Sequence, residues 1–553
     1  MHSVAERMNR LSVRPVLDLI PATRSQFLII GAGADRIKAQ LLLRKPTAQC
    51  HAVEAATEAD LTSANFPAGP YDVVVLMNAA PRDPRAALSA MGRLVDTDGV
   101  LIAQFAHAGH WQRMRDLREG TDRADSLARF SQREVAALVV EAGLKPERLR
   151  PIIDTMPEGD LPDTSTVAQM GNVDDPAVRH RLRTLGFIVS ARPERAARSR
   201  QLRVHMAHLV PRLMDVRTTQ PATALMAEPT LHVTSSERDL FIPTGDPGVL
   251  VIQRPRVGEP ERMVRLVSRA QARGWVVVLE YDDDPLLVAR VRGMMNTPEI
   301  YHDSVGCVHA VQTSTPALGQ LFGRLNPETR VFPNAVPELG PVRTPHGRPF
   351  HVVFAALNRL GTEPFAKALA TTIRAHPQVR FSVVRNRLFF DALPTDNKRF
   401  MNLLRYPDYI RLLGDVDVAL SPLLPDIENL GKSDVKWVEA ASRGAVMIAS
   451  PTVYAATIRH GENGLLANTP EEFAQQLAEL VSNHDLRRQI ADRARRDVSD
   501  SRLLWHQTVA RRDWYRDLFA RRNEVFAAAL ARSPRLAEAV NQAQSDMAQG
   551  GHN

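Results

Sequence analysis

Short apolar runs of strand length alternate with amphipathic, helix-like patterns along most of the chain. Runs that are apolar at nearly every position are typical of strands buried on both faces of a parallel sheet that helices cover. The alternation falls into three blocks, whose clearest runs are FLIIGAG, CHAVEA, YDVVVLMN, GVLIAQF and LGFIVSA in the first, GVLVIQRP, WVVVLEYDDD, CVHAVQTS and RVFPNAV in the second, and FHVVFAAL, VRFSVVRN, VDVALSPL and AVMIAS in the third. The sequence therefore predicts an α/β protein with three sheets.

The segments between the blocks mark the expected domain boundaries. Residues 196–228 are rich in Arg and then in Thr, Ala and Pro, without a clear strand, which predicts an inter-domain linker with room for a helix. The prolines and glycines of PELGPVRTPHGRP indicate a hinge or domain crossing between the second and third blocks. We expect a first domain, a linker, a second domain, a third domain and C-terminal helices at residues 1–195, 196–228, 229–345, 346–500 and 501–553.

The totals narrow the class of protein. A chain of 553 residues is too long for one core, and an apolar fraction of 44% is that of a soluble globular protein. The start of the chain lacks the apolar region of a signal peptide, and no apolar run is long enough to span a bilayer. Cys50 and Cys307 have no metal or redox spacing. We therefore expect a cytoplasmic protein whose two cysteines lie in cores.

The surplus of positive charge suggests acidic partners. The chain has 70 Lys and Arg against 62 Asp and Glu, and residues 484–522 place apolar stripes between many arginines. One interpretation is a solvated face on helices that pack over a core. Peripheral contact with an anionic membrane, at its inner face, or with a phosphorylated acceptor is the other. Nucleic acid is not expected, because the arginines are not interleaved with aromatic residues that could stack on bases.

The first block opens with a strand and a glycine turn, FLIIGAGAD. Gly31 and Gly33 in this turn allow a helix N-terminus to approach a nucleotide-like ligand. The next strand ends at Glu54, about twenty residues further on, where a carboxylate can accept hydrogen bonds from ribose hydroxyls. These three residues are the candidate cofactor-binding set of the first block.

The run from YDVVVLMN, which contains Asp72, through DTDG and GVLIAQF to EAGL resembles the class I S-adenosylmethionine-dependent methyltransferases. The resemblance covers roughly residues 25–195 and implies a hairpin after the EAGL helix, with S-adenosylmethionine as candidate cofactor. Ile29 stands where that family usually has an acid and Asp35 where it has a third glycine, and the interval between Glu54 and Asp72 is too short for a further helix and strand. A degenerate domain kept for docking or assembly is the preferred interpretation, with methyl transfer as the alternative.

An ordered set of motifs runs through the second and third blocks. VVLEYDDDP ends a strand in three carboxylates that begin at Asp282, VFPNAV contains Asn334, and the loop after HVVFAAL carries Arg359. DVKWVEAASRGAVMIAS then places Lys436 and Glu439 on one helical face, and HGENGLLA follows. The order of these motifs resembles the GT-B glycosyltransferases, specifically the large retaining family known as glycosyltransferase group 1, or family four-like.

The resemblance covers roughly residues 229–520 and implies transfer of a sugar from a nucleotide sugar, with retention at the anomeric carbon. It implies that Glu439 holds the donor ribose, while Arg359 and a lysine, Lys432 or Lys436, neutralise the diphosphate. Ser433 is a candidate N-cap, and a helix start presents backbone N–H groups to a diphosphate without a metal, so no metal is expected. The further candidate donor-binding residues are Gly431, Lys432, Ser433 and Asn334.

Two features of the donor and acceptor regions depart from the family or stay open. Gly431 stands eight positions before Glu439, where the family commonly has a glutamate that contacts the sugar, and the alternatives nearby are Asp426, Glu428 and Asn429. Asp282 is a candidate catalytic residue. The three successive carboxylates Asp282, Asp283 and Asp284 have three open roles, namely acceptor binding, orientation of a catalytic group and helix capping. A DxD-type metal site is the less favoured interpretation.

The sequence as a whole predicts three Rossmann-like domains, namely a methyltransferase-like domain and a two-domain GT-B glycosyltransferase, with C-terminal helices. The expected activity transfers a sugar to a glycan, lipid-linked or protein acceptor in the assembly of a bacterial surface polysaccharide or glycoconjugate. Two alternatives stay open. One is a bifunctional methyltransferase and glycosyltransferase, and the other is a non-catalytic scaffold of degenerate nucleotide-binding folds.

Overall fold

The computed structural model describes residues 4–54, 69–77, 83–112, 129–154, 176–194, 201–209, 215–255, 260–287, 303–341, 348–356, 359–425 and 432–550. The chain divides into two compact units. The first unit comprises Met1–Arg200 and Ala227–Pro229, and the second comprises Gln201–Met226 and Thr230–Asn553.

The first unit is built on one mixed sheet. Its strands are β1 Gln26–Ile30, β2 Gln49–Val53, β3 Tyr71–Leu76, β4 Val95–His107, β5 Arg129–Phe130, β6 Leu144–Ile153 and β7 Thr184–Pro193. Its helices are α1 Val4–Leu17, α2 Ala34–Arg44, α3 Pro84–Leu94, α4 Gln132–Glu141 and α5 Pro176–Arg183. The strand order is β2-β1-β3-β4-β7-β6, with β5 paired to β4, and β7 runs antiparallel to both of its neighbours.

Apolar cores lie on both faces of this sheet, as the continuous apolar runs predict. Ile30 and Leu76 face one core together with α3 and α4, whereas Ile29 and Val75 face the other together with α1 and α2. Successive residues of a strand point to opposite faces, so a strand covered on both sides is apolar throughout. The antiparallel pair of β6 and β7 follows α4, where the methyltransferase resemblance places a hairpin.

The described part of the second unit contains two six-stranded sheets in which every pairing is parallel. The second sheet has the order β13-β12-β11-β10-β8-β9 and comprises β8 Leu202–His208, β9 Leu231–Glu237, β10 Gly248–Gln253, β11 Val276–Tyr281, β12 Ala310–Thr313 and β13 Thr329–Val331. The third sheet has the order β16-β15-β14-β17-β18-β19 and comprises β14 His351–Ala355, β15 Arg380–Val384, β16 Lys398–Met401, β17 Val418–Ser421, β18 Val446–Ala449 and β19 Leu465–Leu466. The predicted α/β architecture with parallel sheets is confirmed.

Helices cover both parallel sheets. After a π-helix at Asp215–Thr219 they are α6 Gln220–Met226, α7 Pro260–Ala272, α8 Pro316–Gly323, α9 Glu363–Ala368, α10 Ala370–Ala375, α11 Arg387–Ala392, α12 Tyr406–Gly414, α13 Val435–Ser442, α14 Pro451–Tyr454, α15 Pro470–Ser482, α16 His484–Ser501, α17 Leu504–Ala520, α18 Arg522–Arg532 and α19 Pro534–Gly550. Among the described residues no helix combines the length and apolarity needed to cross a bilayer.

The prediction that residues 196–228 contain no clear strand is wrong. Strand β8 lies in this segment and pairs with β10 on one side and β9 on the other. Its apolar positions Val204 and Met206 are buried, but polar residues alternate with them and hide the pattern. His205 is buried as well, and its ring nitrogens contact the hydroxyls of Thr234 and Ser236 on β9, at 2.8 and 3.1 Å. These contacts offset the cost of burying a polar ring. The second unit thus begins inside the predicted linker.

The chain passes twice between the second and third sheets. It passes first near Val336 and returns near Leu503, and the two passages form a parallel bridge. The N–H of Val336 donates to the carbonyl of Arg502 at 3.0 Å, and the N–H of Leu504 donates to the carbonyl of Val336 at 2.8 Å. The C-terminal helices α17 to α19 then pack over the cores of the second sheet. Contact of these basic helices with a membrane stays a prediction.

Candidate functional site

The start of helix α13 is the centre of the candidate site. Gly444, with a φ of 76°, follows the last turn of this helix. The prediction of Ser433 as N-cap is wrong, because Asp434 occupies the N-cap position. Arg502 binds the Asp434 carboxylate through two hydrogen bonds of 2.7 Å, so this side chain does not cap the helix. Ser433 instead accepts a hydrogen bond from the amide of Asn334 at 2.7 Å.

Glu439 lies in the second turn of α13, with only 5% of its surface exposed. Burial raises the pKa of its carboxyl group to about 7. Lys436 and the hydroxyls of Tyr406 and Tyr409, from the start of α12, act in the opposite direction and favour the carboxylate. The side chain is therefore an acceptor held among hydroxyl groups, which suits it to bind hydroxyls of a ligand.

Lys436 connects Glu439 to two further cations, Arg359 and Lys432. Lys436 is half-buried, and its ammonium donates to the carbonyl of Ala355 at the end of β14. Burial lowers the pKa of Lys436 to about 7, and the positive charges of Arg359 and Lys432 lower it further, against the effect of Glu439. Cations that destabilise one another in this way are stabilised by a shared anion. The structure thus brings together four of the predicted site residues in an arrangement that suits a diphosphate.

The loop that carries Arg359 is fixed by side chains behind it. Asn386 donates to the carbonyl of Arg359 at 2.9 Å, and the hydroxyl of Thr362 donates to the same carbonyl at 3.3 Å. Gly361, next but one in the loop, has a φ of 71°, a conformation that glycine adopts without strain. The backbone of Arg359 is therefore held in place by Asn386 and Thr362, in addition to any contacts of the Arg359 side chain.

The carboxylates after β11 have two different roles. Asp284 accepts a hydrogen bond from the N–H of Leu286 at 2.9 Å and caps the turn that follows, so the capping interpretation applies to it. Asp282 and Asp283 bind the guanidinium of Arg254 at 2.5 and 2.8 Å. Asp283 also pairs with Lys432 at 2.8 Å, which joins the loop after β11 to the start of α13.

Asn334 holds protein groups together at this point. Its side-chain oxygen accepts from Arg217 at 3.1 Å and its backbone carbonyl accepts from Arg502 at 2.8 Å, in addition to the bond with Ser433. It is 4% exposed. Asn334 and Ser433, both predicted to bind the donor, thus bond to each other in the structure. Gly431 and its alternatives Asp426, Glu428 and Asn429 lie outside the described residues.

Several contributing residues were not identified from the sequence. Tyr406 and Tyr409 reach Glu439 from another helix, and Arg217 reaches Asn334 from the π-helix in the predicted linker. The spacing of the two tyrosines, at i and i+3 of a helix, was the available signal for one face. For Arg217 no local pattern exists, because its partners lie 63 to 117 residues away.

The glycine turn of the first unit binds its own glutamate. Glu54 accepts hydrogen bonds from the N–H groups of Gly33 and Asp35 at the start of α2, both at 3.0 Å. Gly31 is required by packing, since a Cβ there would lie 2.2 Å from the carbonyl oxygen of Met77. The three candidate cofactor residues come together, with Glu54 bonded to the helix start, and contact of Glu54 with a ribose stays a prediction.

We expect no heat of binding when S-adenosylmethionine is titrated into the protein at up to millimolar concentration. The N–H groups that would face the cofactor are already bonded to a carboxylate. The variant Glu54→Ala is the matched comparison, because it opens the helix start without touching the second unit. A saturable heat in the wild-type protein would contradict the expectation, and a heat in the variant alone would show a site that Glu54 fills.

No cation-binding cluster stands out in the part of the chain that the structure describes. There, no group of three or more His, Cys, Asp and Glu side chains is arranged to hold a metal ion. The acidic residues after β11 are instead bound to Arg254 and Lys432. The prediction that the reaction needs no metal remains a prediction.

Comparisons with known proteins concern mainly the second unit. Residues 363–512 match a family model described as glycosyl transferase-like. The match begins at α9 and ends within α17, so it includes α13 with Lys436 and Glu439. A comparison with curated proteins found no match.

Solved structures with some likeness to the chain include three bacterial proteins. A variant of S. aureus TarM, in complex with fondaparinux, alpha-GlcNAc-glycerol and UDP, is 14% identical, with 49% of this chain and 55% of that chain covered and a TM-score of 0.38. HepE from Anabaena, in complex with UDP and glucose, is 13% identical, with 56% and 99% covered and a TM-score of 0.40. A glycosyltransferase from Rickettsia africae is 12% identical, with 57% and 98% covered and a TM-score of 0.40. The chain thus spans about half the length of TarM.

Proposed function

We propose that the second unit is a glycosyltransferase that moves a sugar from a nucleotide sugar to a glycan, lipid-linked or protein acceptor. The observation that carries the proposal is the grouping of Arg359 and Lys432 with Lys436, which shares one helical face with the buried Glu439. Cations at a helix start suit a diphosphate, and a carboxylate among hydroxyls suits a ribose. The match of residues 363–512 to a glycosyl transferase-like family supports the same reading.

The arrangement suits the chemistry of glycosyl transfer. When the bond between sugar and diphosphate breaks, negative charge develops on the leaving diphosphate. Preorganised cations stabilise that charge more strongly than water does, because they need no reorganisation at the moment of reaction. Glu439 would hold the ribose and thus fix the diphosphate against Arg359 and Lys436. Retention at the anomeric carbon and a role in a bacterial surface glycan belong to the proposal through the resemblance of the ordered motifs.

The proposal predicts that nucleotide binding places a proton on Lys436. Burial and the neighbouring cations lower the pKa of this amine to about 7, so above pH 7 it is mostly neutral in the free protein. A diphosphate favours the charged amine and raises its pKa, so binding takes up a proton. The contribution of Lys436 therefore weakens as the pH rises above 7, by at most about tenfold per pH unit, and is complete below pH 7.

This prediction is checked after a search for the donor. UDP-, GDP- and dTDP-sugars are compared by the rise in Tm that they cause, since a ligand of the native state stabilises it. The matching nucleoside diphosphate is then titrated by calorimetry, in two buffers of different ionisation heat, into wild type and Lys436→Gln. Glu439 titrates in the same range and its pKa depends on Lys436, so the same pair of proteins is also compared in a Glu439→Gln background, where the difference isolates the lysine. Equal proton uptake by both proteins would exclude this role of Lys436, and no stabilisation by any sugar would remove the proposed function.

For the first unit we propose a class I methyltransferase-like fold that serves docking or assembly. The order β2-β1-β3-β4-β7-β6, with β7 antiparallel to β4 and to β6, supports the fold. The bonds of Glu54 to the start of α2 support a domain that has lost the cofactor. The bifunctional alternative is tested by the S-adenosylmethionine titration, and the scaffold alternative is tested by the nucleotide-sugar comparison.

A further inference from the structure

Lys432 has contacts of both signs. Its positive charge, like that of Arg359, acts on Lys436 and lowers the pKa of that amine, while its own ammonium pairs with the carboxylate of Asp283 at 2.8 Å. A carboxylate oxygen offers a cation the same kind of charge-assisted contact as a phosphate oxygen. In the free protein Asp283 thus takes the place at Lys432 that a donor diphosphate would need.

Asp283 is anchored on its own side of this contact. Arg254 binds Asp283 at 2.8 Å and Asp282 at 2.5 Å, and it is itself held by a hydrogen bond from its N–H to the carbonyl of Glu280 at 2.9 Å. Arg254 has a φ of 42°, a left-handed conformation that costs a residue with a long side chain energy and that is often kept at functional sites. Asp283 therefore stays with Arg254 if Lys432 moves towards another anion.

The ion pair between Lys432 and Asp283 is weak enough to break when a ligand binds. The Lys432 side chain is 40% exposed and the Asp283 side chain is 20% exposed, so water screens their attraction. A diphosphate carries more charge than one carboxylate and meets Arg359 and Lys436 at the same time. Lys432 would therefore exchange Asp283 for the diphosphate when a donor binds. Because the ion pair with Asp283 must first break, it lowers the affinity of the protein for the donor.

We propose that Asp283 is a positioning residue that sets the affinity for the donor by holding Lys432, and that nucleotide-sugar binding breaks this ion pair. The inference rests on the proposed function of the second unit. Asp283 acts on the donor through Lys432, so its removal strengthens donor binding, whereas removal of Lys432 weakens it.

The test measures the Kd of the nucleoside diphosphate and the KM and kcat of donor hydrolysis. Asp283→Asn is expected to lower Kd and KM by about two- to fivefold with little change in kcat, the range that a partly exposed ion pair provides. Lys432→Met is expected to raise Kd. The double variant with Asp283→Asn and Lys432→Met is expected to have the same Kd as Lys432→Met, because the effects of substitutions in two directly coupled residues are not additive. Asp283→Glu, which keeps the charge, is expected to bind like wild type.

Asp284→Asn is the matched control, since it makes the same charge change one position further on and keeps a residue that can cap the turn. It is expected to leave Kd unchanged. The proposal is overturned if Kd is higher or unchanged in Asp283→Asn, or if Kd is lower in the double variant than in Lys432→Met. In either case, nucleotide binding by the wild-type protein would leave the proposed function in place. If wild type binds none of the nucleoside diphosphates, both fall.

Discussion

Glu439→Gln is expected to lower the turnover of nucleotide sugar by about a hundredfold or more while the protein stays folded. Glutamine has the shape of glutamate but accepts hydrogen bonds through one oxygen only, so the ribose loses part of its anchor. The diphosphate is then no longer held in line with the cations, and small misplacements of reacting groups are costly. The measurement is kcat and KM for the donor found in the screen.

The fold should tolerate this change because the site already favours partial protonation of the Glu439 carboxyl group at neutral pH. Burial raises the pKa of Glu439 to about 7, so a neutral amide replaces a group that is partly protonated near neutral pH. Glu471→Gln, in the exposed first turn of α15, is the matched control and is expected to keep wild-type turnover. Full activity of Glu439→Gln would exclude Glu439 from the site, and a large fall in Tm would assign it a structural role instead.

Arg217→Met is expected to lower the free energy of unfolding of the second unit by about 3–5 kcal/mol. Arg217 is 3% exposed and binds the fully buried Glu280 at 2.8 Å, together with the carbonyl of Phe332 at 2.6 Å. Without Arg217 the Glu280 carboxylate keeps contacts with Gln312 and the charge of Arg511 but loses its direct ion pair. A buried charge that has lost its partner is far more costly than a broken surface pair.

Urea unfolding followed by tryptophan fluorescence measures this change, because Trp275, Trp437, Trp505 and Trp514 lie in the second unit and Trp111 lies in the first. Arg521→Met is the matched control. Arg521 pairs with Glu328 and Asp517 but is 32% exposed, so its loss is expected to change stability by about 1 kcal/mol or less. Addition of Glu280→Gln should recover much of the stability lost in Arg217→Met. Equal effects of the two arginine variants would contradict the role of burial.

The strands that are buried on both faces were the most predictable part of the fold. YDVVVL, VVVLEY and VALS form β3, β11 and β17, because short runs that are apolar at nearly every position are typical of strands buried on both faces. Strand β8 was missed because its buried histidine is satisfied by Thr234 and Ser236, two side chains of a neighbouring strand. A polar residue whose partner lies elsewhere in the sequence is indistinguishable from a loop residue before the fold is known.

The same limit applies to the candidate site. The spacing of Lys436 and Glu439 placed both on one helical face, because that relation is local and follows from helix geometry. The N-cap was assigned to Ser433 and not to Asp434, since the deciding contact comes from Arg502, which is 68 positions away. The pairing of Lys432 with Asp283 joins loops from two sheets, 149 positions apart, and no local pattern predicts it.

The two side-by-side passages of the chain at Val336 and Leu503 have a mechanical consequence. They are joined by two backbone hydrogen bonds, so sliding of one sheet past the other would break both, whereas rotation about the line of the passages requires changes in few backbone torsions. These two bonds thus oppose sliding of the sheets more strongly than they oppose rotation about the line of the passages. Lys432 follows a strand of the third sheet and Asp283 follows a strand of the second, so a rotation of this kind would change the distance between them.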